Sequence, residues 1–227
     1  MTTHRRAAPT SAPDLSPEDI LALRRQSPDY VPPPPPPVSW EDFLAWAPET
    51  WRVEWVAGEI IEMPPAHEDH QDTSLFLVTF LLLYIQQHGL GRIFHAPFLM
   101  RLAQKPSGRE PDLVFVRAEH VARINPTFVD GPANLVVEIV SPDSVRRDYQ
   151  EKLVEYQGAG IPEYWLVDPI RKEARFYLLG QDGAYRLVQI GEDGIYTSRE
   201  IDGLRIRVSW LWQRPLPTIA AAQADLP

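Results

Sequence analysis

The sequence predicts an α/β protein in which helices pack on the faces of a mixed β-sheet. Short apolar, strand-like segments dominate the second half of the chain, and long helical patterns flank them. The stretch from Leu135 to Val167 has the order strand, helix, strand, which forms a right-handed crossover between parallel strands. This alternation predicts a mixed central sheet flanked by helices.

Local patterns predict the individual elements. A serine followed by acidic residues, at Ser16 and again at Ser39, predicts the start of a short helix. A long helix is predicted from Asp69 to His88, ended by Gly89. Two hairpins are predicted, one within Arg52–Met63 that turns at Ala57-Gly58 and one of Ala174–Leu179 with Tyr185–Ile190. Single strands are predicted at Arg92–Leu102, Leu113–Arg117, Leu135–Val140, Tyr164–Val167 and Leu204–Val208. A turn is predicted at Gln104–Arg109.

Proline content divides the chain into three regions. The 227 residues include 24 prolines, and a hexaproline run at Pro32 to Pro37 lies in a head that has little apolar material. We expect residues 1–38 to form a disordered or polyproline arm. Residues 39–215 form the predicted domain, because 44% hydrophobic residues suffice for one core. Residues 216–227 are predicted to be a flexible tail.

Charge and cysteine content limit the function classes. The four arginines of the arm balance its four acidic residues, so the net charge of −9 belongs to residues 39–227. An acidic body disfavours a general nucleic-acid binder but leaves room for a nuclease with a locally basic groove. The absence of cysteine excludes disulfides, thiol catalysis and zinc–thiolate sites.

No membrane or secretory segment is predicted. The N-terminus carries charge but no apolar stretch typical of a signal peptide. The longest apolar stretch, Leu75 to Ile85, is shorter than the ~20 residues that a membrane span needs. We therefore expect a cytoplasmic protein with no membrane partner.

One lysine lies on the apolar face of a predicted helix. The segment from Val145 to Ala159 is amphipathic, and Tyr149 and Tyr156 continue its apolar stripe at helical spacing. Lys152 falls in the middle of that stripe. A cation that faces the core costs free energy unless an anion meets it there.

Two acidic residues interrupt apolar strands upstream and are candidate partners of the lysine. Alternation in the strand from Leu135 puts Glu138 on the same face as two valines, and Asp112 directly precedes another apolar run. Two facing carboxylates favour Mg²⁺, and Lys152 could stabilise charge on a phosphate. The residues leave a second interpretation open, in which Lys152 reaches solvent or forms a purely structural salt bridge.

The joint pattern resembles the Uma-two family of restriction endonucleases in the PD-(D/E)xK nuclease superfamily, over roughly residues 40 to 210. The resemblance is carried by Glu110-Pro111-Asp112, Glu138 within Val136–Pro142, Lys152, the run Gly160–Pro169, the hairpin Val53–Ile60 and His70.

The resemblance implies a restriction-endonuclease-like core that uses a divalent metal, usually Mg²⁺. Asp112 and Glu138 would be the metal ligands, and the carbonyl of Ile139 would supply another oxygen. Lys152 would be the catalytic lysine, and Glu54 would be an auxiliary acid from the N-terminal part.

Two positions of this sequence depart from the common pattern of the superfamily and the family. The superfamily commonly places its lysine two residues after the second acid, where this chain has Val140; the family moves that lysine to the next helix, which agrees with Lys152. Glu110 stands where arginine is more common, and this extra acid would either help to bind metal or weaken phosphate binding.

Five further residues keep two interpretations each. His70 is an auxiliary site candidate in the first turn of the long helix, and a structural role is equally consistent with its position. Tyr156 lies one turn beyond Lys152 and either packs beside it or assists it. Three basic residues near Asp112 would contact DNA phosphates or occupy a solvated loop: Arg101, Lys105 and Arg109.

These observations predict a Mg²⁺-dependent endonuclease that hydrolyses DNA phosphodiester bonds, with a homodimer as the expected assembly. Two other classes stay open. One is a non-catalytic interaction module that keeps the nuclease fold, and the other is a metal-dependent hydrolase of a different phosphate ester.

Overall fold

A computed structural model describes residues 15–48, 51–103 and 106–225. The chain divides into two compact units, Met1–Pro32 and Pro33–Pro227. In the first unit, α1 (Pro17–Arg25) begins at Ser16 with a capping box. The Ser16 hydroxyl accepts from the Asp19 N–H at 3.1 Å, and the Asp19 carboxylate accepts from the Ser16 N–H at 3.0 Å. The predicted short helix is therefore confirmed.

The second unit carries the remaining elements, most of which match the predicted segments. The elements that were not predicted include the strands Phe128–Asp130 and Ile195–Thr197, two 3₁₀-helices and the helix Ile219–Asp225. In chain order the elements are α2 (Trp40–Trp46), β1 (Val53–Val56), β2 (Glu59–Glu62), α3 (Glu68–His88), β3 (Gly91–His95), β4 (Leu99–Leu102), β5 (Ser107–Arg109), β6 (Leu113–Arg117), a 3₁₀-helix (Ala118–Arg123), β7 (Phe128–Asp130), β8 (Leu135–Ile139), a π-helix (Arg147–Lys152), α4 (Leu153–Ala159), β9 (Glu163–Asp168), β10 (Glu173–Leu179), β11 (Tyr185–Leu187), β12 (Ile195–Thr197), β13 (Arg205–Arg207), a second 3₁₀-helix (Val208–Trp212) and α5 (Ile219–Asp225).

The larger sheet is mixed, as predicted. Within the described residues its strand order is β11-β10-β9-β8-β6-β3. Strands β8 and β9 pair in parallel, and the helical segment between them makes the crossover. The other neighbours in this sheet are antiparallel. The strand–helix–strand unit expected between Leu135 and Val167 is therefore present.

A second sheet, with the order β2-β1-β5-β4-β7, was not predicted. The single strand predicted at Arg92–Leu102 is wrong, because the chain leaves the larger sheet after β3 and enters the second sheet at β4. Pro97 lies between the two strands and has no N–H to continue a ladder. The turn predicted at Gln104–Arg109 is also wrong in its second half, since Ser107–Arg109 forms β5. Residues 104 and 105 lie outside the described residues.

Both faces of the larger sheet are buried. On one face, α3 contributes Leu77 and Leu81, which pack with β-strand residues and with Trp210 of the second 3₁₀-helix. On the other face, Tyr156 of α4 and Met100 of β4 join one cluster with the sheet. Because a central strand such as β8 is covered on both sides, any charged group on it must find its partners inside the protein.

The boundaries of the body differ from those expected. The division after Pro32 leaves residues 33–38 with the body. Val38 is buried, and its N–H and C=O bond to Gly58 O and Trp55 Nε1, each at 2.8 Å. The tail predicted to be flexible contains α5, whose Ala222 is fully buried in the core. Residues 1–14 of the predicted arm lie outside the described residues.

Among the helices in the described part of the chain, none combines the length and the apolar character needed to cross a membrane.

Gly108 occupies a position in β5 where the ring of Trp40 leaves no room for a side chain. A Cβ there would lie 2.2 Å from a Trp40 ring carbon. We predict that Gly108→Ala lowers the free energy of unfolding by about 1–3 kcal/mol through overpacking. Gly158→Ala is the matched control, because nothing lies within 4 Å of its Cβ position and alanine favours the helix by about 0.5–1 kcal/mol. Urea denaturation of both variants measures the difference; equal stability would contradict the close packing.

Candidate active site

Two adjacent strands bring Asp112 and Glu138 together. Strands β6 and β8 are antiparallel with Leu113 opposite Val137, so Asp112 lies beside Glu138 at the next position of the register. The N–H of Ile139 donates to Asp112 Oδ2 at 2.7 Å and fixes this carboxylate against the end of β8. Both acids are almost fully buried.

The helix that carries Lys152 contains a π-helical segment, Arg147–Lys152, ahead of α4. Four buried residues at intervals of four lie along this region: Ser144, Asp148, Lys152 and Tyr156. In a regular α-helix, four residues overshoot one turn by about 40°, so such a row drifts around the axis. The wider π turns offset that drift. The row therefore stays directed at the sheet.

The ammonium of Lys152 lies among three carboxylates. Its Nζ atom is 2.8 Å from Glu138 Oε1, 3.3 Å from Glu54 Oε1 and 3.5 Å from Asp148 Oδ1. Lys152 is 2% exposed, so it does not reach out to solvent. The inward direction that the helical periodicity predicts is the direction observed.

These neighbours keep Lys152 protonated. Burial by itself lowers the pKa of an amine, but Glu138, Glu54 and Asp148 outweigh it and raise the pKa of Lys152 above its ordinary value. The side chain therefore provides a fixed positive charge and is not a base near neutral pH.

The two strand acids have opposite pKa shifts. Burial, followed by repulsion from Asp148, Asp112 and Glu54, raises the pKa of Glu138 to about 8 despite Lys152. For Asp112, burial is outweighed by His70, Arg52 and the Ile139 N–H, which lower its pKa to about 2. Asp112 is thus held as a carboxylate, whereas Glu138 lacks enough positive charge around it.

His70 and Tyr156 each contact one of these acids. The Nε2 atom of His70 lies 3.1 Å from Asp112 Oδ2, and the hydroxyl of Tyr156 donates to Glu138 Oε1 at 2.6 Å. The buried Nδ1 of His70 has no hydrogen-bond partner within the described residues. Both predicted auxiliary residues therefore lie at the site, although neither contact distinguishes a chemical role from a structural one.

Glu54 lies behind the lysine and is held by a second buried network. Its Oε1 accepts from the Glu110 N–H at 3.2 Å, and its Oε2 accepts from Arg109 at 2.8 Å. Arg109 in turn donates to Glu155, which also accepts from Ser107. Burial by itself raises the pKa of Glu54, but Lys152 and Arg109 outweigh burial and lower the pKa to about 2. Glu54 stays ionised and faces Lys152.

The structure describes two of the three basic residues that were predicted to contact DNA or to lie in a solvated loop. Both interpretations are wrong for Arg109, which neither lies in a solvated loop nor is free to contact DNA, because it is 2% exposed and both ends of its guanidinium bind carboxylates. Arg101 lies on β4 with its guanidinium 5.3 Å above the ring of Trp40, and it does not line the cleft that holds Lys152. Lys105 lies outside the described residues.

Arg52 and Asp148 are site residues that were not predicted from the sequence. Arg52 donates to Glu110 Oε1 at 2.6 Å and to Asp112 Oδ1 at 3.2 Å, and it is 25% exposed. A cation at the start of a hairpin carries no local sign of such a role. Asp148 did give a signal, because it precedes Lys152 by one helical turn.

One narrow cleft gives access to this arrangement. The larger sheet contributes Asp112, Glu138 and Ile139 to its lining. The other lining residues are Ser141, Asp143, Ser144, Arg147, Asp148 and Lys152 from the segment that follows β8, and Arg52, Met63, Pro64, Pro65 and His70 from the N-terminal part of the domain. Glu54 and Glu110 do not line it. Glu54 therefore acts on the cleft through Lys152.

The donor set fits a cation that needs few protein ligands. Within the described residues, no three acidic or histidine side chains converge on one metal position. Mg²⁺ requires only one or two carboxylates, with water and phosphate completing its shell. The described contacts of Glu138 all fall on Oε1, and the buried Asp148 Oδ1, 3.5 Å from Lys152 Nζ, has no hydrogen-bond partner among the described residues. Oxygen acceptors therefore remain available at the cleft.

Acidic side chains outnumber the cations around the cleft. Six buried carboxylates face four cations in this region: Glu54, Glu110, Asp112, Glu138, Asp148 and Glu155 against Arg52, Arg109, Arg147 and Lys152. The shortage of positive charge appears in the raised pKa of Glu138, and a cation bound beside this carboxyl would favour its ionised form.

A mixed sheet flanked by helices, with two strand carboxylates and a lysine in one cleft, defines a restriction-endonuclease-like fold. Comparison with known proteins places the chain in a family of that class. Residues 40–209 match the Uma2 family model, described as "Putative restriction endonuclease", and the chain belongs to this family.

A solved structure has the same fold at low sequence identity. It is a protein described as a putative nuclease belonging to DUF820, from Anabaena variabilis ATCC 29413, and it matches with a TM-score of 0.66 and 16% identity over 78% of this chain and 98% of that one. No curated protein matches the chain.

The buried pairs of Arg109 generate a stability prediction. Replacing it by methionine leaves Glu54 and Glu155 without their shared cation, so we expect Arg109→Met to lower the free energy of unfolding by about 3–5 kcal/mol at neutral pH. Arg146→Met is the control, because the Arg146 side chain is 83% exposed and an exposed pair with Glu151 contributes about 0–1 kcal/mol. Chemical denaturation compares the two variants; similar losses would show that the buried network is not stabilising.

Proposed function

We propose that this chain is a divalent-metal-dependent endonuclease that hydrolyses phosphodiester bonds of DNA. The observation that carries the proposal is the buried ammonium of Lys152, 2.8 Å from Glu138 in the cleft that Asp112 also lines. Membership of the Uma2 family supports the same conclusion.

Asp112 and Glu138 are the proposed metal ligands. Three donors hold Asp112 in its ionised form, from Arg52, His70 and the Ile139 N–H. Glu138 keeps one oxygen on Lys152 and Tyr156, so its second oxygen is the proposed ligand atom. The carbonyl of Ile139, which also lines the cleft, is the third proposed ligand. A bound Mg²⁺ would polarise a phosphate oxygen and lower the pKa of water.

Lys152 is proposed to stabilise the negative charge that develops on the phosphate. A preorganised charge in a buried site needs no reorganisation as the reaction proceeds. Glu54 and Asp148 hold the ammonium in place, and the raised pKa keeps it charged. Arg52 is partly exposed at the cleft and is a second cation that could bind the phosphate.

The DNA substrate must approach a chain with a net charge of −9. The cleft itself is locally mixed, because Arg52, His70, Arg147 and Lys152 line it together with the acids. We propose that binding depends on this local field, and that two copies act as a homodimer when both strands are cut.

A non-catalytic module that keeps the nuclease fold and binds a protein partner is the alternative. Its supporting observation is that Asp112 already bonds to Arg52 and His70, so a metal must compete with existing contacts. A gel shift with Ca²⁺ in place of Mg²⁺ separates the classes, since failure to bind any form of DNA favours a protein-binding module.

A metal-dependent hydrolase of another phosphate ester is a further alternative, and assays on a panel of small phosphodiesters beside DNA test for it.

Removing the ammonium tests the catalytic assignment. We expect Lys152→Met to reduce Mg²⁺-dependent nicking of plasmid DNA by about 100-fold or more, because the developing charge on the phosphate loses its counter-charge. Circular dichroism establishes that the variant is folded. Arg146→Met removes an exposed positive charge and should nick at the wild-type rate. If Lys152→Met nicks as fast as the wild type, the assignment is wrong.

Thermal unfolding tests the metal site without reference to activity. We expect Mg²⁺ or Mn²⁺ at 100 times its dissociation constant to stabilise the wild type by about 2.7 kcal/mol, because the ion binds only the folded state. Asp112→Asn should lose this stabilisation, whereas Asp130→Asn, an exposed site away from the cleft, should keep it. A wild-type melting temperature that is the same in EDTA and in saturating Mg²⁺ would exclude a metal site.

A further inference from the structure

We propose that the apolar cavity beside Glu110 binds a guanine base, whose Watson–Crick edge donates hydrogen bonds to the Glu110 carboxylate. The inference deepens the proposed function, because the base would belong to a nucleotide next to the bond that is cut. It concerns a cavity separate from the cleft that holds Lys152.

The cavity lies between α2, the start of β1 and the loop that enters β4. Its volume is about 310 Å³, which is within the range of small-ligand pockets. Apolar side chains form most of its wall, and Trp51 and Phe98 supply aromatic rings. The lining residues are Leu44, Ala47, Pro48, Trp51, Val53, Pro97, Phe98, Leu99, Glu110, Pro126 and Thr127.

Among the described residues that line the cavity, Glu110 is the one that carries a charge. It is 4% exposed, and its side-chain contact in the described structure joins Oε1 to Arg52 Nε at 2.6 Å. Oε2 therefore retains acceptor capacity, and Oε1 retains a second lone pair. A buried carboxylate in an apolar wall is most stable when donors reach it, and an aliphatic ligand offers none.

A guanine base matches these features. Proteins that take a base out of its stack hold it between aromatic and apolar side chains and bind its Watson–Crick edge through hydrogen bonds. Guanine presents two adjacent N–H donors on that edge, and a carboxylate presents two acceptors. Adenine presents an acceptor next to its amino group, which would face a carboxylate oxygen without a hydrogen bond.

Arg52 connects the cavity to the cleft. One guanidinium bonds to Glu110 through Nε and to Asp112 through its terminal nitrogen. Glu110 lines the cavity but not the cleft, whereas Asp112 lines the cleft but not the cavity. A base bound to Glu110 would therefore be connected, through the Arg52 guanidinium, to Asp112, the carboxylate proposed to bind the metal.

The test measures binding of free nucleotides without divalent metal. Calorimetric titration compares guanosine, inosine and adenosine 5′-monophosphates; inosine lacks the exocyclic amino group. We expect guanosine monophosphate to bind at least about tenfold more tightly than the other two. Glu110→Gln should abolish this preference, because an amide offers one acceptor in place of two. Glu119→Gln, an exposed site elsewhere, is the control.

A second variant keeps the test decisive if Glu110→Gln is unstable. Ala47→Leu places bulk into the wall of the cavity while the Glu110 carboxylate is kept, and it should weaken guanosine monophosphate binding about tenfold or more. No binding at millimolar concentration, or binding unchanged in both variants, would overturn the inference and leave the cavity as a packing void. Binding that does not distinguish guanosine from inosine monophosphate would overturn it as well.

DNA substrates separate this inference from the proposed nuclease activity. Single-stranded oligonucleotides with a guanine or an inosine at each position near the cut should be cleaved at different rates by the wild type but not by Glu110→Gln. Guanosine monophosphate binding without any cleavage would refute the nuclease proposal alone. Cleavage without base preference, together with absent nucleotide binding, would refute the guanine site alone.

Discussion

The ion pairs of Lys152 connect the helix that carries it to both β-sheets. The ammonium joins three elements, because Glu138 lies on the larger sheet, Glu54 lies on the second sheet and Asp148 lies on the same helical segment. A charge buried this deeply is stable only while every partner stays close. Packing of the helix, alignment of the two sheets and geometry of the cleft are therefore constrained together.

This arrangement is costly for folding and useful for chemistry. A cluster with more carboxylates than cations is poorly compensated inside a protein, and burial raises the pKa of Glu138 to about 8 as a result. Well-packed apolar residues would be at least as stable in the same space. The proposed divalent metal would bring the positive charge that this cluster lacks.

Arg52 bonds to two acidic residues that line different depressions of the protein surface. It separates two acids that are close in sequence, holding Asp112 toward the cleft and Glu110 toward the apolar cavity. The extra acid at position 110 therefore does not add directly to the charge that lines the cleft. The proposed metal site and the proposed base site share one guanidinium, so geometry at one of them constrains the other.

The sequence by itself determined the features that follow from local periodicity. It predicted α3, most strands, the inward face of Lys152 and the shared face of Glu138 and its neighbouring valines, because helix and strand repeats fix side-chain direction locally. It could not show that the strand after Phe94 changes sheets or that Arg109 is buried. Those outcomes depend on partners far apart in the chain, such as the pair of Arg109 and Glu54. Only the tertiary structure decided them, since the free energy of a buried charge is set by the groups that packing brings around it.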